Sequence, residues 1–98
     1  MDISFDSDDL DRLETETEYT AGFSREIVIA YRKRIQVIRA AADERDLYAM
    51  KSYHFEKLKG SRSHQHSIRL NDKMRLILQI QSGNPKNKIL VIGIEDYH

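Results

Sequence analysis

The sequence predicts an α+β fold, helical in its first half and β-rich in its second, and three observations carry that prediction. Between Arg25 and Ala42 the apolar positions Ile27, Ala30, Tyr31, Ile35, Ile38 and Ala41 or Ala42 follow the three-four spacing of an amphipathic helix, with Arg32, Lys33, Arg34 and Arg39 mostly opposite. From Ser67 to Ile80 the period changes to two: Ile68 and Leu70 face away from Ser67 and Arg69, and Met74, Leu76, Leu78 and Ile80 face away from Arg75, Ile77 and Gln79. Ile89, Leu90, Val91 and Ile92 are apolar on both faces, as a central strand requires. A chain of 98 residues has room for one modest core, so residues 1–98 are expected to form a single domain with its function on the surface.

The remaining elements follow in order. Ile3 and Phe5 alternate with polar neighbours and suggest a short edge strand from Asp2 to Asp6. Ser7 or Asp8 caps the next segment, where Asp8, Asp9 and Asp11 complement the positive end of a helix dipole and Leu10 and Leu13 share a face. Thr15 to Gly22 lacks periodicity and reads as a loop, after which Ser24 caps the long helix. One more helical turn is expected around Leu47. Tyr53, Phe55 and the break at Gly60 then suggest a short extended piece that delivers Glu56, Lys57 and Lys59 to the mouth of the sheet. Asn71 and Asp72 interrupt the alternation and are good turn residues, because their side chains bond nearby backbone amides; they make the two alternating segments a hairpin. Ser82 to Pro85 forms the next turn.

Formal net charge is zero, but the charges are segregated. Residues 1–18 hold eight acids and the single base Arg12, a net of −7; the rest holds fifteen bases and eight acids, a net of +7. A basic body suits an anionic partner, and an acidic leader near it would compete with phosphates for the same cations. The densest basic stretch is the hairpin and its approach: Lys57, Lys59, Arg62, Arg69, Lys73, Arg75 and, when protonated, His64 or His66, against the one acid Asp72. Cations at alternate strand positions also occur on any solvated sheet face, so composition alone leaves both readings open. There is no cysteine, hence no disulfide or thiolate metal site. His64 and His66 lack a third ligand at useful spacing and are read as contacting RNA or solvent rather than a metal. The N-terminus is acidic where a secretion signal would be basic, and no apolar run approaches the ~20 residues that span a bilayer; a cytoplasmic protein without membrane contact is expected.

With these segments in view, the chain resembles the HigB branch of the RelE-like toxins, within the RelE/ParE superfamily of bacterial type II toxin–antitoxin systems. Three motifs in register carry the resemblance. His54-Phe55-Glu56-Lys57-Leu58-Lys59-Gly60-Ser61-Arg62 matches an L-E-x-L-x-G pattern followed by a basic turn. Gln65 to Leu76 is similar to the family's G-x-x-S-I-R-x-N-x-x-x-R-x segment, with His64 standing where Gly is usual, and Glu95-Asp96-Tyr97-His98 is similar to its characteristic ending. The resemblance implies two or three N-terminal helices packed on a small twisted, mainly antiparallel sheet. It also implies an activity, the cleavage of messenger RNA on the ribosome, which inhibits translation and arrests growth. The implied partners are the ribosome with its message and a cognate antitoxin of the helix-turn-helix DNA-binding type, with operator DNA reached only through that antitoxin. No cofactor or metal is implied.

RNA cleavage by the adjacent 2′-hydroxyl needs that proton removed, charge on the phosphate stabilised and the leaving 5′-oxygen protonated. Arg75 is the first choice for the phosphate, since a guanidinium stays charged and offers a planar fork. Lys59 is placed beside it in the catalytic set, with Arg62, Lys57, Arg69 and Lys73 as RNA-binding cations. His98 suits the general acid, because its imidazole titrates near neutral pH and Asp96 and the terminal carboxylate favour the protonated form. Tyr97 stacks on a base or offers its hydroxyl to the phosphate. Glu56 and Asp96 are both candidate bases, and the residues do not choose between them. Two rival readings use the same scaffold differently: a gyrase-inhibiting toxin of the ParE type, and an RNA-binding module without activity. Arg75 together with Asp96-Tyr97-His98 is the set that neither rival requires.

Overall fold

The computed structural model describes residues 1–96. It contains strand β1 (Ile3–Phe5), helices α1 (Asp8–Thr15), α2 (Arg25–Ala40) and α3 (Glu44–Ala49), then strands β2 (Glu56–Lys57), β3 (His66–Arg69), β4 (Met74–Gln81) and β5 (Lys88–Asp96). Short 3-10 turns occupy Lys51–Tyr53 and Gly60–Arg62. The helices start where the sequence places oxygen caps: Ser7 accepts from the Leu10 amide and Ser24 from the Ile27 amide, both at 3.3 Å, and Asp43 caps α3. Helix α2 stops at Ala40, short of the expected Ala42. There the backbone of Ala41 turns extended, and the α-amino group of Met1 donates to the carbonyls of Ile38, Arg39 and Ala41, satisfying acceptors that a helix end leaves open.

The five strands form one sheet in the order β1-β5-β4-β3-β2, antiparallel throughout except for the parallel pair β1–β5. Strand β5 thus lies between β1 and β4, which explains its two apolar faces. The β3–β4 hairpin turns where expected, its Asn71 side chain accepting from the amides of Lys73 at 2.9 Å and Met74 at 2.7 Å. All three helices cover one face of the sheet. Leu10, Leu13, Ile27, Tyr31, Ile35, Ile38 and Leu47 are buried there against Ile68, Leu76, Leu78, Ile89 and Val91, each large side chain contributing roughly 1.5–3 kcal/mol of transfer free energy. Tyr31 donates from its hydroxyl to the Leu10 carbonyl at 2.7 Å, tying α2 to α1 in the middle of that core, and burial pushes its phenol well above the ordinary tyrosine range.

The sheet has a second buried zone. Ser67 and Ile77 are 1 % and 0 % exposed, yet they point away from the helical core. From the segment between β2 and β3, the Arg62 side chain reaches across this face to Glu95 on β5. Gly60 adopts φ +67°, a left-handed conformation that L side chains rarely take, and this turns the chain so that Arg62 lies back across the outer face.

Candidate functional site

Strand register assembles the outer face row by row. Arg69, Arg75 and Glu95 stand side by side on β3, β4 and β5; the next row is Glu56, Ser67, Ile77 and Gly93 from β2 to β5. Arg62 crosses above the second row. Its Nε donates to Gln65 at 3.0 Å and its two terminal nitrogens donate to the Glu95 carboxylate at 2.9 and 2.7 Å, a bidentate fork. The bonds to the Glu95 carboxylate hold the Arg62 guanidinium above its ordinary pKa. Arg75 approaches the same carboxylate at 3.9 Å, with 16 % of its side chain exposed. Two guanidiniums therefore converge on one acid above a buried Ser67–Ile77 floor. Gly93 leaves open space beside them, since a Cβ built there would meet nothing within 4 Å.

Of the residues expected in the site, the structure brings Arg75 and Arg62 together and sets Glu56 on the same face, exposed. Lys59 lies exposed just before the Gly60 turn. Arg69 shares the face with Arg75, but its guanidinium bends along the hairpin to the Asn71 carbonyl and to Asp72, where with Lys73 and Glu26 it borders a shallow depression. Lys57 pairs with His66 and so occupies the opposite face of the edge strand from Glu56. Asp96 is opposite Met74, on the other side of β5 from Glu95. Tyr97 and His98 lie outside the described residues.

Two findings differ from the expectations. The carboxylate that meets the arginines is Glu95, which sequence reasoning passed over for Glu56 and Asp96; the signal available was its strand phase, two residues beyond Gly93 on the face of Arg75 and Ile77. His66, expected to contact RNA or solvent, is half-buried on the helical face of the sheet. It stacks on buried Phe55 with ring centroids 4.9 Å apart, and its Nε2 lies 3.2 Å from the Tyr48 hydroxyl. Burial, and after it the nearby Lys57, push its pKa below the ordinary histidine value. His64, by contrast, is exposed in the turn before β3. Among the described residues no three His, Asp or Glu side chains cluster as metal ligands would.

This arrangement can bind an anion on the outer face of the sheet, through guanidiniums placed by strand register and a glycine turn. Among solved structures, the chain is similar to a YoeB/ParE toxin from Agrobacterium tumefaciens, at a TM-score of 0.60 and 16% identity over 100% of both chains, a likeness of fold. No curated protein matches it. A family model does: the HigB-like toxin, described as the RelE-like toxin of the type II toxin–antitoxin system HigB, matches residues 3–98. That match takes in every strand and helix described above, and the chain belongs to the HigB-like family of RelE-like type II toxins.

Proposed function

We propose that this toxin is a ribosome-dependent messenger RNA endonuclease in which residues 1–98 act as one domain. The observation that carries the reading is the convergence of Arg62 and Arg75 over a buried floor, at the end of β5 that leads into Asp96, Tyr97 and His98. In the proposed reaction the 2′-oxygen attacks the neighbouring phosphorus, the 5′-oxygen leaves, and a 2′,3′-cyclic phosphate remains on the upstream fragment. Arg75 neutralises charge on the phosphate in the transition state, and Arg62 and Lys59 steady the same or the adjoining phosphate. Glu56 or Asp96 accepts the 2′-hydroxyl proton, and His98 supplies one to the 5′-oxygen, with Tyr97 stacked on a base. Arg69 and Lys73 hold the message further out, whereas Lys57, on the other face of β2, stands outside this contact.

Membership in the family implies a protein antitoxin as partner. A helix-turn-helix antitoxin, with operator DNA contacted only through it, completes the proposal, and a target on ribosomes places the activity in the cytoplasm. No described helix is long and apolar enough to cross a membrane. The experiment is incubation with translating ribosomes followed by mapping of message ends. New ends bearing 2′,3′-cyclic phosphate are expected. Intact message with inhibited gyrase would establish the ParE-type alternative, and bound but uncut message a non-catalytic RNA-binding module.

A further inference from the structure

Arg62 is the most exposed of the cations that reach the floor, yet in the free protein its fork is already filled. The edge made by its two terminal nitrogens faces Glu95 at 2.9 and 2.7 Å, and its Nε is held by Gln65 at 3.0 Å. A carboxylate and a phosphate offer that fork the same thing, two oxygens in one plane with negative charge. Arg75 lies 3.9 Å from the same carboxylate, so an anion in the place of Glu95 would be within reach of both guanidiniums. The strand register, Arg75 opposite Glu95, builds this arrangement into the backbone. Both partners of the Arg62–Glu95 pair are more than a third exposed, at 39% and 38% of the side chain, and ion pairs so open to water are weak enough for an incoming anion to exchange with.

We infer that Glu95 is the protein's own occupant of the phosphate seat: it positions Arg62 over the Ser67–Ile77 floor in the free toxin and gives way to an RNA phosphate when message binds. Glu95 is a positioning residue in this account, and its carboxylate leaves Arg62 before the chemistry begins. The inference rests on reading this face as the RNA site. A plain structural clamp, tying the loop to β5, would have the same geometry in the free protein but opposite consequences on substitution.

Binding of a 2′-O-methyl RNA oligonucleotide, which cannot be cleaved by its own hydroxyls, separates the two across a salt series. Glu95→Gln is expected to bind about 2- to 5-fold tighter at low salt. The gain should shrink as salt rises and screens the competing Arg62–Glu95 pair, since the number of phosphate contacts is the same in both proteins. In an Arg62→Ala background the gain from Glu95→Gln should largely vanish, a dependence that a change in net charge alone would not show. Glu95→Asp, which keeps the charge but withdraws the carboxylate by one methylene, should also bind more tightly than the wild type, and it serves where Glu95→Gln melts below the assay temperature. Affinity that is unchanged or reduced in both single variants, or a gain that persists without Arg62, overturns the inference while wild-type cleavage on ribosomes leaves the nuclease reading standing. Wild-type protein that neither binds the oligonucleotide nor cuts message overturns both.

Discussion

Arg75 gives up most of its hydration to stand beside fully buried Ile77, and a guanidinium in that setting acts on a phosphate with little competition from water. Replacing it with alanine is therefore expected to lower message cleavage on ribosomes by about 10²- to 10³-fold, the usual effect of removing one preorganised donor to a developing oxyanion. The Arg75→Ala protein should still form the antitoxin complex in a pull-down, and loss of that complex would mean that the antitoxin sits on the cluster itself. His66 supports a prediction of a different kind. A base whose folded pKa is depressed takes up its proton more readily in the unfolded chain, so the stability it contributes is present above the ordinary value of about 6.5 and is lost as pH falls through the depressed one. The groups around it are Phe55, Tyr48, Lys57 and Glu44; burial is the leading cause and Glu44 works against it. Melting temperature should thus fall on going from pH 7.5 to 5.5, and His66→Phe should flatten that dependence. Asp43, whose carboxyl is held low by Arg45, titrates below this window and leaves it undisturbed.

Helix α2 shows how one element carries both legible and illegible information. Its buried stripe of Ile27, Tyr31, Ile35 and Ile38 follows directly from helical spacing, and Ser24 marks its start. Arg32, by contrast, reads in sequence as a solvated cation, but it donates from Nε to the Leu13 carbonyl at 2.9 Å and from one terminal nitrogen to those of Glu16 and Thr17 at 2.9 and 3.1 Å. It fastens the end of α1 and the loop after it to the helix that follows. Arg32→Ala is expected to cost about 1–3 kcal/mol in chemical denaturation and to speed hydrogen exchange in residues 16–20, with α2 itself protected. Such contacts escape sequence reading because their acceptors are backbone carbonyls, which every residue has. The same limit applies to the pairing of β1 with β5, to the end of α2 and to Glu95. Strand phase and turn chemistry act over a few residues and were enough for the β3–β4 hairpin, whereas each of these features joins segments far apart in the chain. Lys57 illustrates a subtler failure: its composition suits the site, but a two-residue strand was too short to show its phase, and β2 turns it to the face of His66.

At the scale of the whole molecule the acidic helix α1 and the arginines that meet Glu95 lie on opposite faces of the sheet. Helix α1 contributes Leu10 and Leu13 to the core on the helical side, while Arg62, Arg75 and Glu95 lie on the outer side. Part of the leader's charge is also consumed locally: Glu16 pairs with Arg12, Glu14 with Arg39, and Asp9 accepts from the Tyr19 hydroxyl. With molecular extents of 35 × 29 × 24 Å, a charge on the far layer is separated from the outer face by more than the ~10 Å over which it acts at 0.1 M salt. Neutralising Asp8, Asp9 and Asp11 of α1 together should accordingly leave ribosome affinity unchanged at 0.1 M salt. At 0.01 M, where the screening length reaches about 30 Å and spans the molecule, the same variant should bind more tightly. Thermal melting must accompany the measurement, because Asp8, Asp9 and Asp11 lie in the first turn of α1 and their removal weakens that helix end. Tighter binding already at 0.1 M, with the fold intact, would mean that the ribosome touches the helical layer as well as the outer face; no change at 0.01 M would mean that the acids are neutralised where they stand.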